Sequence, residues 1–174
     1  SFTGASVGIN YNFSVNGGSV QNGALSTFTT TSLTNGQTVD VIVTSAAGCS
    51  GTSGVITMTV NGNPVAGLTS SDGDNIICAG TGVTFTGSGG SSYEFFVDGT
   101  SVQSGLSSTY VTSVLSGGQT VTVKVSNAAG CSTTSAGITT VVNANPVASL
   151  VSNDSDNIIC AGTSVTFTGA PVGT

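Results

Sequence analysis

The carboxylates of this chain are concentrated in two short loops, which hold four of its seven acidic residues. The six polar residues of interest in these loops are Asp72, Asp74, Asn75, Asp154, Asp156 and Asn157. Alternating carboxylates flanked by amide and carbonyl oxygens are the ligands that a hard cation such as Ca²⁺ prefers. The same residue types also build ordinary turns, because Asp and Asn side chains accept hydrogen bonds from nearby backbone. The sequence therefore supports two hypotheses: a calcium site, or a turn that needs no cofactor.

Four cysteines are the other residues whose chemistry could matter. Cys78 and Cys160 end the sequence NIIC, whereas Cys49 and Cys131 end the sequence AAGC. The chain has no histidine, so a Cys-His nucleophile pair is excluded, and two cysteines alone make a poor zinc site. A structural disulfide is the default hypothesis, and it implies an oxidising location outside the cytoplasm.

Charge is scarce along the whole chain. One Lys, no Arg and seven acids give a net charge of -6, and only 5% of residues are charged, against about 25% in typical globular domains. Nucleic acid and anionic membrane surfaces are excluded as partners, because both need clustered cations. No apolar run approaches the roughly 18 residues of a membrane span. Without histidine there is no proton shuttle for neutral pH, and we expect no enzyme.

The loops and the cysteines recur at a fixed interval. Residues 11–92 and 93–174 align without a gap and are identical at 49 of 82 positions. This period exceeds the roughly 20 to 50 residues of solenoid repeats, so each unit is long enough to form a small domain. We expect the chain to be part of a longer array. The predicted division is a truncated repeat at 1–62, a complete repeat at 63–144 and the first strands of a third repeat at 145–174.

Two cysteine pairings are compatible with this repeat. The favoured one joins Cys78 to Cys131 and closes the complete repeat, which adds about 4 kcal/mol of stability in the chain-entropy model. Cys49 and Cys160 then have partners outside residues 1–174. The alternative joins Cys49 to Cys78 and Cys131 to Cys160, which would link neighbouring units. We expect the first pairing, because small domains with limited cores need internal cross-links.

Apolar and polar residues alternate through each unit, for example at Val121, Val123 and Val125. A period of two indicates half-buried antiparallel strands. Turn signals such as Asp98-Gly99 separate the runs at intervals of about 8 to 12 residues, and no helical period is present. The pattern predicts an all-β chain of tandem immunoglobulin-like β-sandwich domains. Strands of the complete repeat are expected near 64–70, 76–79, 83–88, 93–98, 109–114, 119–126 and 137–142.

Three stretches carry a resemblance to a known family: ICAGTGVTFTGSGGSSYEFFVDGTSVQSG, TVTVKVSNAAGC and NPVA. They resemble the tandem immunoglobulin-like or PKD-like repeats of very large cell-surface adhesins of Bacteroidota, and are most similar to gliding-motility adhesins of the SprB kind. The PKD signature, an aromatic strand running into Gly-Asp-Gly, is only partly kept as FFVDGT. The resemblance implies cell adhesion, an extracellular location at the bacterial surface, and export by the type IX secretion system.

Residues and resemblance together predict a structural spacer or stalk segment of a large secreted adhesin. Its partners would be neighbouring repeats of the same chain, with surface polysaccharide bound through other regions of the parent. One alternative is a carbohydrate-binding accessory module of a secreted enzyme. That function predicts a patch of outward aromatic residues, and the chain has no Trp. Another alternative is a filament-forming surface protein.

Overall fold

The computed structural model describes residues 1–4 and 8–172, with side chains up to Gly169. All regular elements within these residues are β-strands, which confirms the predicted all-β class. Contacts divide the chain into two compact units, Ser1–Gly62 and Asn63–Thr174. The further division of the second unit at residue 145 stays a prediction.

The first unit is built on one sheet of five strands. The strands of this unit are β1 (Phe2–Thr3), β2 (Asn10–Val15), β3 (Gly18–Gly23), β4 (Thr27–Phe28), β5 (Thr38–Thr44), β6 (Ser50–Thr52) and β7 (Ile56–Thr57). The sheet has the order β3-β2-β5, and β5 pairs on its other edge with β6 and then β7. The short strands β1 and β4 form a separate pair. Tyr11, Phe13 and Val41 form the small buried core of the first unit.

The second unit contains the other twelve strands. They are β8 (Gly67–Ser70), β9 (Ile76–Cys78), β10 (Val83–Ser88), β11 (Ser92–Val97), β12 (Thr100–Gly105), β13 (Thr109–Thr112), β14 (Thr120–Ser126), β15 (Ser132–Thr134), β16 (Ile138–Thr139), β17 (Val141–Asn143), β18 (Val147–Ser152) and β19 (Phe167–Val172). One sheet has the order β13-β10-β8, and the other has the order β12-β11-β14 with β15 and β16 along the free edge of β14. In addition, β9 pairs in parallel with β17.

The core of the second unit lies between these two sheets. Phe85 from the first sheet and Phe95 from the second are fully buried, and Tyr110 lies within 6.4 Å of both ring centroids. The predicted inward residues of β14, including Val121, Val123 and Val125, are also fully buried in this cluster. Because residues of a strand alternate between faces, these positions fill the interior while their neighbours face outward. This arrangement is an immunoglobulin-like sandwich.

The main sheet is formed twice with the same registers, offset by 82 residues. Tyr11 lies opposite Val43 in the first unit, as Tyr93 lies opposite Val125 in the second. A serine hydroxyl also repeats its role: Val41 N donates to Ser53 Oγ at 3.0 Å, and Val123 N donates to Ser135 Oγ at 3.1 Å. The repeated sequence therefore specifies the same local hydrogen bonds in both units.

Within residues 63–144, β12 and β15 are additional to the predicted seven strands, and the predicted strand at 137–142 is divided into β16 and β17. Strand β12 has the sequence TSVQSG, which lacks the apolar alternation of the buried strands. Its position is set by the preceding turn, where Asp98 and Gly99 have φ values of 49° and 78°. Two consecutive residues of positive φ form the type I′ turn that closes a tight hairpin. The local turn, rather than burial, therefore creates this edge strand.

Strands β18 and β19 form a hairpin with each other. Ser152 lies opposite Phe167, which is the register of Ser70 opposite Phe85 between β8 and β10. The pairing of β18 with β19 therefore has the same register as that of β8 with β10, two of the first strands of the complete repeat.

Candidate functional site

Each of the two Asp loops is closed by a carboxylate that accepts a backbone hydrogen bond. Ile76 N donates to Asp74 Oδ1 at 3.0 Å, and Ile158 N donates to Asp156 Oδ1 at 3.1 Å. Both contacts join residues two positions apart, which is the pattern of an Asx turn. These two carboxylates therefore shape the loops directly.

Other oxygens of the loops are buried without a hydrogen-bond partner, namely Asp72 Oδ2, Asn75 Oδ1 and Asp154 Oδ2. Such oxygens are suited to a cation, but Ca²⁺ takes about six to eight. Within the described residues no group of three or more His, Cys, Asp or Glu could hold a metal. A calcium site in these loops, which would also need amide or carbonyl oxygens, stays a prediction. Asn75 and Asn157 have φ values of 59° and 54°, which suit a turn.

The structure does not bring together Cys78 and Cys131, the two cysteines of the favoured pairing, because they lie at opposite ends of residues 131–143, the last strand region of the repeat. Strand β9 runs parallel to β17 and places Cys78 opposite Asn143, at the end of that region. Cys131 immediately precedes β15, at the beginning of the same region. The thiol of Cys78 is exposed and free. A disulfide between Cys78 and Cys131 requires residues 75–78 (NIIC) to lie beside the start of residues 131–143. The parallel pairing of β9 with β17 places them beside the end of that segment.

The separation follows from the ladder of β14. This strand lies opposite Ser132 at its Ser126 end and opposite Thr139 at its Thr120 end. Six residues of extended strand span about 20 Å, and Asn143 lies further along the chain than Thr139. Disulfide bonding requires Cα atoms within about 7 Å. No rearrangement of side chains alone could bring the two cysteines together.

Cys49 and Cys160 are both exposed. The expectation that they have partners outside residues 1–174 was tied to the bridge within the repeat, and it loses that support. The alternative pairing of Cys49 with Cys78 and of Cys131 with Cys160 stays a prediction.

The remaining charged groups of the second unit hold strands together. Glu94 accepts a hydrogen bond from Ser101 Oγ at 3.0 Å and lies 3.9 Å from Lys124 Nζ. Asp98 Oδ1 accepts a hydrogen bond from Thr120 N at 2.9 Å. Each carboxylate thus contacts a neighbouring strand, and none of them is paired with a nucleophile and a base as acyl transfer or hydrolysis would need.

One shallow groove of 390 Å³ lies on the second unit. Val97, Tyr110 and Leu115 contribute apolar surface, while Asp98, Gln119, Thr100 and Thr112 contribute polar groups. Three of these polar groups already accept hydrogen bonds from the backbone: Asp98 from Thr120 N, Gln119 from Ser116 N at 2.8 Å, and Thr112 from Val114 N.

Sequence patterns do not indicate where a core is open, and the described part of the first unit has two open cavities. One has a volume of 260 Å³ and is lined by Phe13, Val39 and Ile56, and the other has a volume of 420 Å³ and is lined by Val41 and Val43. Phe13, Val39 and Val41 are themselves buried, so the cavities lie against the core side of the sheet. The part of the chain that the structure describes contains no helix long and apolar enough to cross a membrane.

No protein-family model matches the sequence, and no curated protein matches it either. Among solved structures, the chain is similar to the fibronectin(III)-like modules of Clostridium thermocellum CbhA, with 11% identity, a TM-score of 0.47, and coverage of 79% of this chain and 81% of that one. The amphioxus IgVJ-C2 molecule is similar with 16% identity, a TM-score of 0.37, and coverage of 77% and 89%.

A third similar structure is the surface protein SGBP-B from the mixed-linkage glucan utilization locus of Bacteroides ovatus, in complex with a mixed-linkage heptasaccharide. The identity is 16%, the TM-score is 0.26, and the match covers 87% of this chain and 42% of that one. At these TM-scores the similarities carry no argument about function. The fold assignment depends on the sheet order and registers described above.

Proposed function

We propose that this chain is a structural spacer, a stalk segment of a large secreted bacterial adhesin. The observation that supports it is the duplication of one sheet, with the same registers and the same serine-to-backbone hydrogen bonds, at an interval of 82 residues. A module copied this faithfully is suited to a mechanical role. Its function is to add length between a cell and a distal binding region.

The connection after the complete repeat suits this role. Only three residues separate the end of β17 from the start of β18. The side chain of Asn145 donates from Nδ2 to the carbonyl oxygen of Ala79 at 2.9 Å, which ties the connection to the preceding repeat. A short, hydrogen-bonded connection has little of the slack of a flexible linker.

The finer assignment is to a gliding-motility adhesin of the SprB kind in a member of the Bacteroidota, exported by type IX secretion and located at the cell surface. The sequence resemblance and the hydroxyl-rich composition, in which few residues are charged, support it. Antibody labelling of intact cells of the source organism tests it. Labelling of the outer surface that disappears when type IX secretion is inactivated is the expected result, and cytoplasmic protein would contradict it.

The alternative function, a carbohydrate-binding accessory module, makes an opposite prediction for the isolated chain. We expect isothermal titration with soluble polysaccharides, including mixed-linkage glucan, to give no heat of binding at millimolar sugar. Binding at millimolar or tighter affinity would contradict the spacer proposal and favour the alternative.

The repeat supplies a matched variant for that experiment. Phe96 is the half-buried aromatic on the outward side of β11, and the equivalent position of the first unit is Ser14. The Phe96→Ser variant therefore has a residue that the same fold already accepts. If a sugar binds and this variant loses the binding, aromatic recognition in the second unit is the cause.

A further inference from the structure

The chain enters and leaves the complete repeat at opposite ends of its sandwich. On the entry side, Gly89 lies against the carbonyl oxygen of Val65, and the next residue, Gly90, lies against that of Ser126. The entry is therefore at the Ser126 end of β14. Strand β16 pairs with the other end of β14, at Thr120, and the chain continues beyond that end through β17. Tension along the chain thus pulls the two ends of the sandwich in opposite directions.

One ladder joins the exit strand to a strand from the start of the repeat. Strand β17 pairs in parallel with β9 over three residues. At one end of this ladder Val141 N donates to Asn75 O at 2.8 Å, and at the other end Ala79 N donates to Asn143 O at 2.9 Å. Each of the two strands also places one side chain in or against the core: Ile77 and Val142. The ladder therefore holds the exit strand to the body of the sandwich.

The parallel direction decides how tension acts on this ladder. Strand β9 is pulled from the entry side through Asn75, and β17 is pulled at the exit through Asn143, so the two pulled residues lie at opposite ends of the ladder. The hydrogen bonds of a parallel ladder are evenly spaced along it. Tension along the strands therefore shears all of them together. In an antiparallel hairpin pulled by its two free ends, the bonds would instead break one after another.

We propose that the ladder of β9 with β17 is the mechanical clamp of the complete repeat, the set of bonds that must break before the sandwich unfolds under tension. Strand β8 precedes β9 and is held to β10 by a ladder of its own. Its separation leaves β9 in place, and the tension then acts across the clamp, between Asn75 and Asn143.

This inference rests on the proposed spacer function only for the source of the tension. The clamp is a property of the folded repeat and is measured on the isolated chain, whereas the spacer function is tested by labelling of the cell surface. Resistance located elsewhere in the repeat would remove the clamp and leave the spacer function standing. A cytoplasmic protein would remove the spacer function and leave the measured resistance unchanged.

The Ala79→Pro variant removes one bond of the clamp and keeps the local backbone. Thr81 N donates to Cys78 O at 3.0 Å, and Gly80 has a φ of 83°, so these residues form a type II turn with Ala79 at its second position. Proline is favoured at that position of the turn. The variant therefore loses the hydrogen bond from N of residue 79 to Asn143 O without strain in the turn.

A second test variant and two controls accompany it. Val141→Pro removes the hydrogen bond at the other end of the clamp. Ala161→Pro makes the same substitution in the equivalent turn 82 residues later, where Thr163 N donates to Cys160 O at 3.0 Å, and leaves the clamp intact. Gly99→Ala destabilises the turn between β11 and β12, because φ is 78° there, but that turn is not part of the clamp. Hydrogen exchange in β14 establishes that each variant is folded.

Constant-force unfolding of the full chain, with handles attached at positions 62 and 144, measures the clamp directly. These equivalent positions flank the complete repeat, so the tension acts on that repeat alone. Ala79→Pro and Val141→Pro should each raise the unfolding rate at a fixed force about fivefold, the factor expected for one lost hydrogen bond. Ala161→Pro and Gly99→Ala should leave the rate unchanged, because the clamp breaks while the rest of the sandwich is still folded.

Two results would overturn the proposal. Unchanged unfolding rates in Ala79→Pro and Val141→Pro would place the resistance to tension in other bonds. Faster unfolding of Gly99→Ala or Ala161→Pro, by the same factor as Ala79→Pro, would show that resistance follows the stability of the whole unit and that the ladder has no special part in it.

Discussion

Replacing Thr140 by Val should stabilise the second unit. Thr140 is 2% exposed, and its hydroxyl oxygen has no hydrogen-bond partner. Its backbone hydrogen bonds, from Thr140 N to Gln119 O and from Gly118 N to Thr140 O, are each 3.0 Å long and do not involve the side chain. Val has the same shape and exchanges the hydroxyl for a methyl group. The repeat already accepts an apolar residue here, since the equivalent position is Met58.

The magnitude follows from the desolvation of one hydroxyl. A buried polar group without a partner costs about 1 to 3 kcal/mol, and we take the lower end because a small hydroxyl can still be partly compensated. A gain of about 1 kcal/mol raises the ratio of folded to unfolded molecules roughly fivefold. Native-state hydrogen exchange should therefore slow about fivefold in β14, where exchange requires opening of the whole unit.

A matched control separates this effect from a general benefit of Val in a strand. Thr112 is also buried, but its hydroxyl accepts a hydrogen bond from Val114 N at 3.4 Å. Thr112→Val should therefore destabilise the unit by about 1 kcal/mol. Exchange in β5 of the first unit serves as the internal reference. Faster exchange in β14 of Thr140→Val would show that its hydroxyl has a partner and would refute the reasoning.

Three further predictions concern the turn glycines, the cysteines and the Asp loops. Gly89→Ala should lower the free energy of unfolding by about 2 to 4 kcal/mol, because φ is 99° and a Cβ would overlap the carbonyl oxygen of Val65. Gly99→Ala should lower it by only about 1 kcal/mol, because Gly99 has a φ of 78° but open space around it. Equal losses for the two variants in denaturant titrations would contradict the overlap at Gly89. Non-reducing peptide mapping should find no peptide joining Cys78 to Cys131, and finding one would refute the parallel pairing of β9. A chelator or added Ca²⁺ should leave the melting temperature unchanged, because no group of three or more His, Cys, Asp or Glu side chains could hold a metal within the described residues. A rise with Ca²⁺ would show that the loops bind it.

The sequence was sufficient for the strands whose burial alternates. Val121, Val123 and Val125 are on the core side as expected, and Phe95 is buried between its outward neighbours. In these strands one face is apolar and the other polar, so the alternation of residue types predicts which side chains are buried. Strand β12 could be inferred only from the Asp98-Gly99 turn, since an edge strand facing solvent needs no apolar pattern.

The cysteine pairing could not be predicted, because it depends on strand direction. The sequence NIIC is compatible with a strand beside either end of the last strand region. Only the parallel register of Ile76 opposite Val141 shows which end it occupies. In the same way, the exposure of Ile56 and Ile159 depends on which other strands are present to cover them. The period of two identifies which face of a strand is apolar, but it does not show which other strand packs against that face.

Single-molecule stretching of a polyprotein in which residues 63–144 are repeated many times would test most directly whether this module is an independent mechanical unit. Each unfolding event should lengthen the chain by about 280 Å less the length of the folded module, since 82 residues extend by about 3.4 Å each. A regular series of such steps is the predicted result. Steps of variable length, or release of several repeats at once, would show that the repeats share a core and would contradict the account.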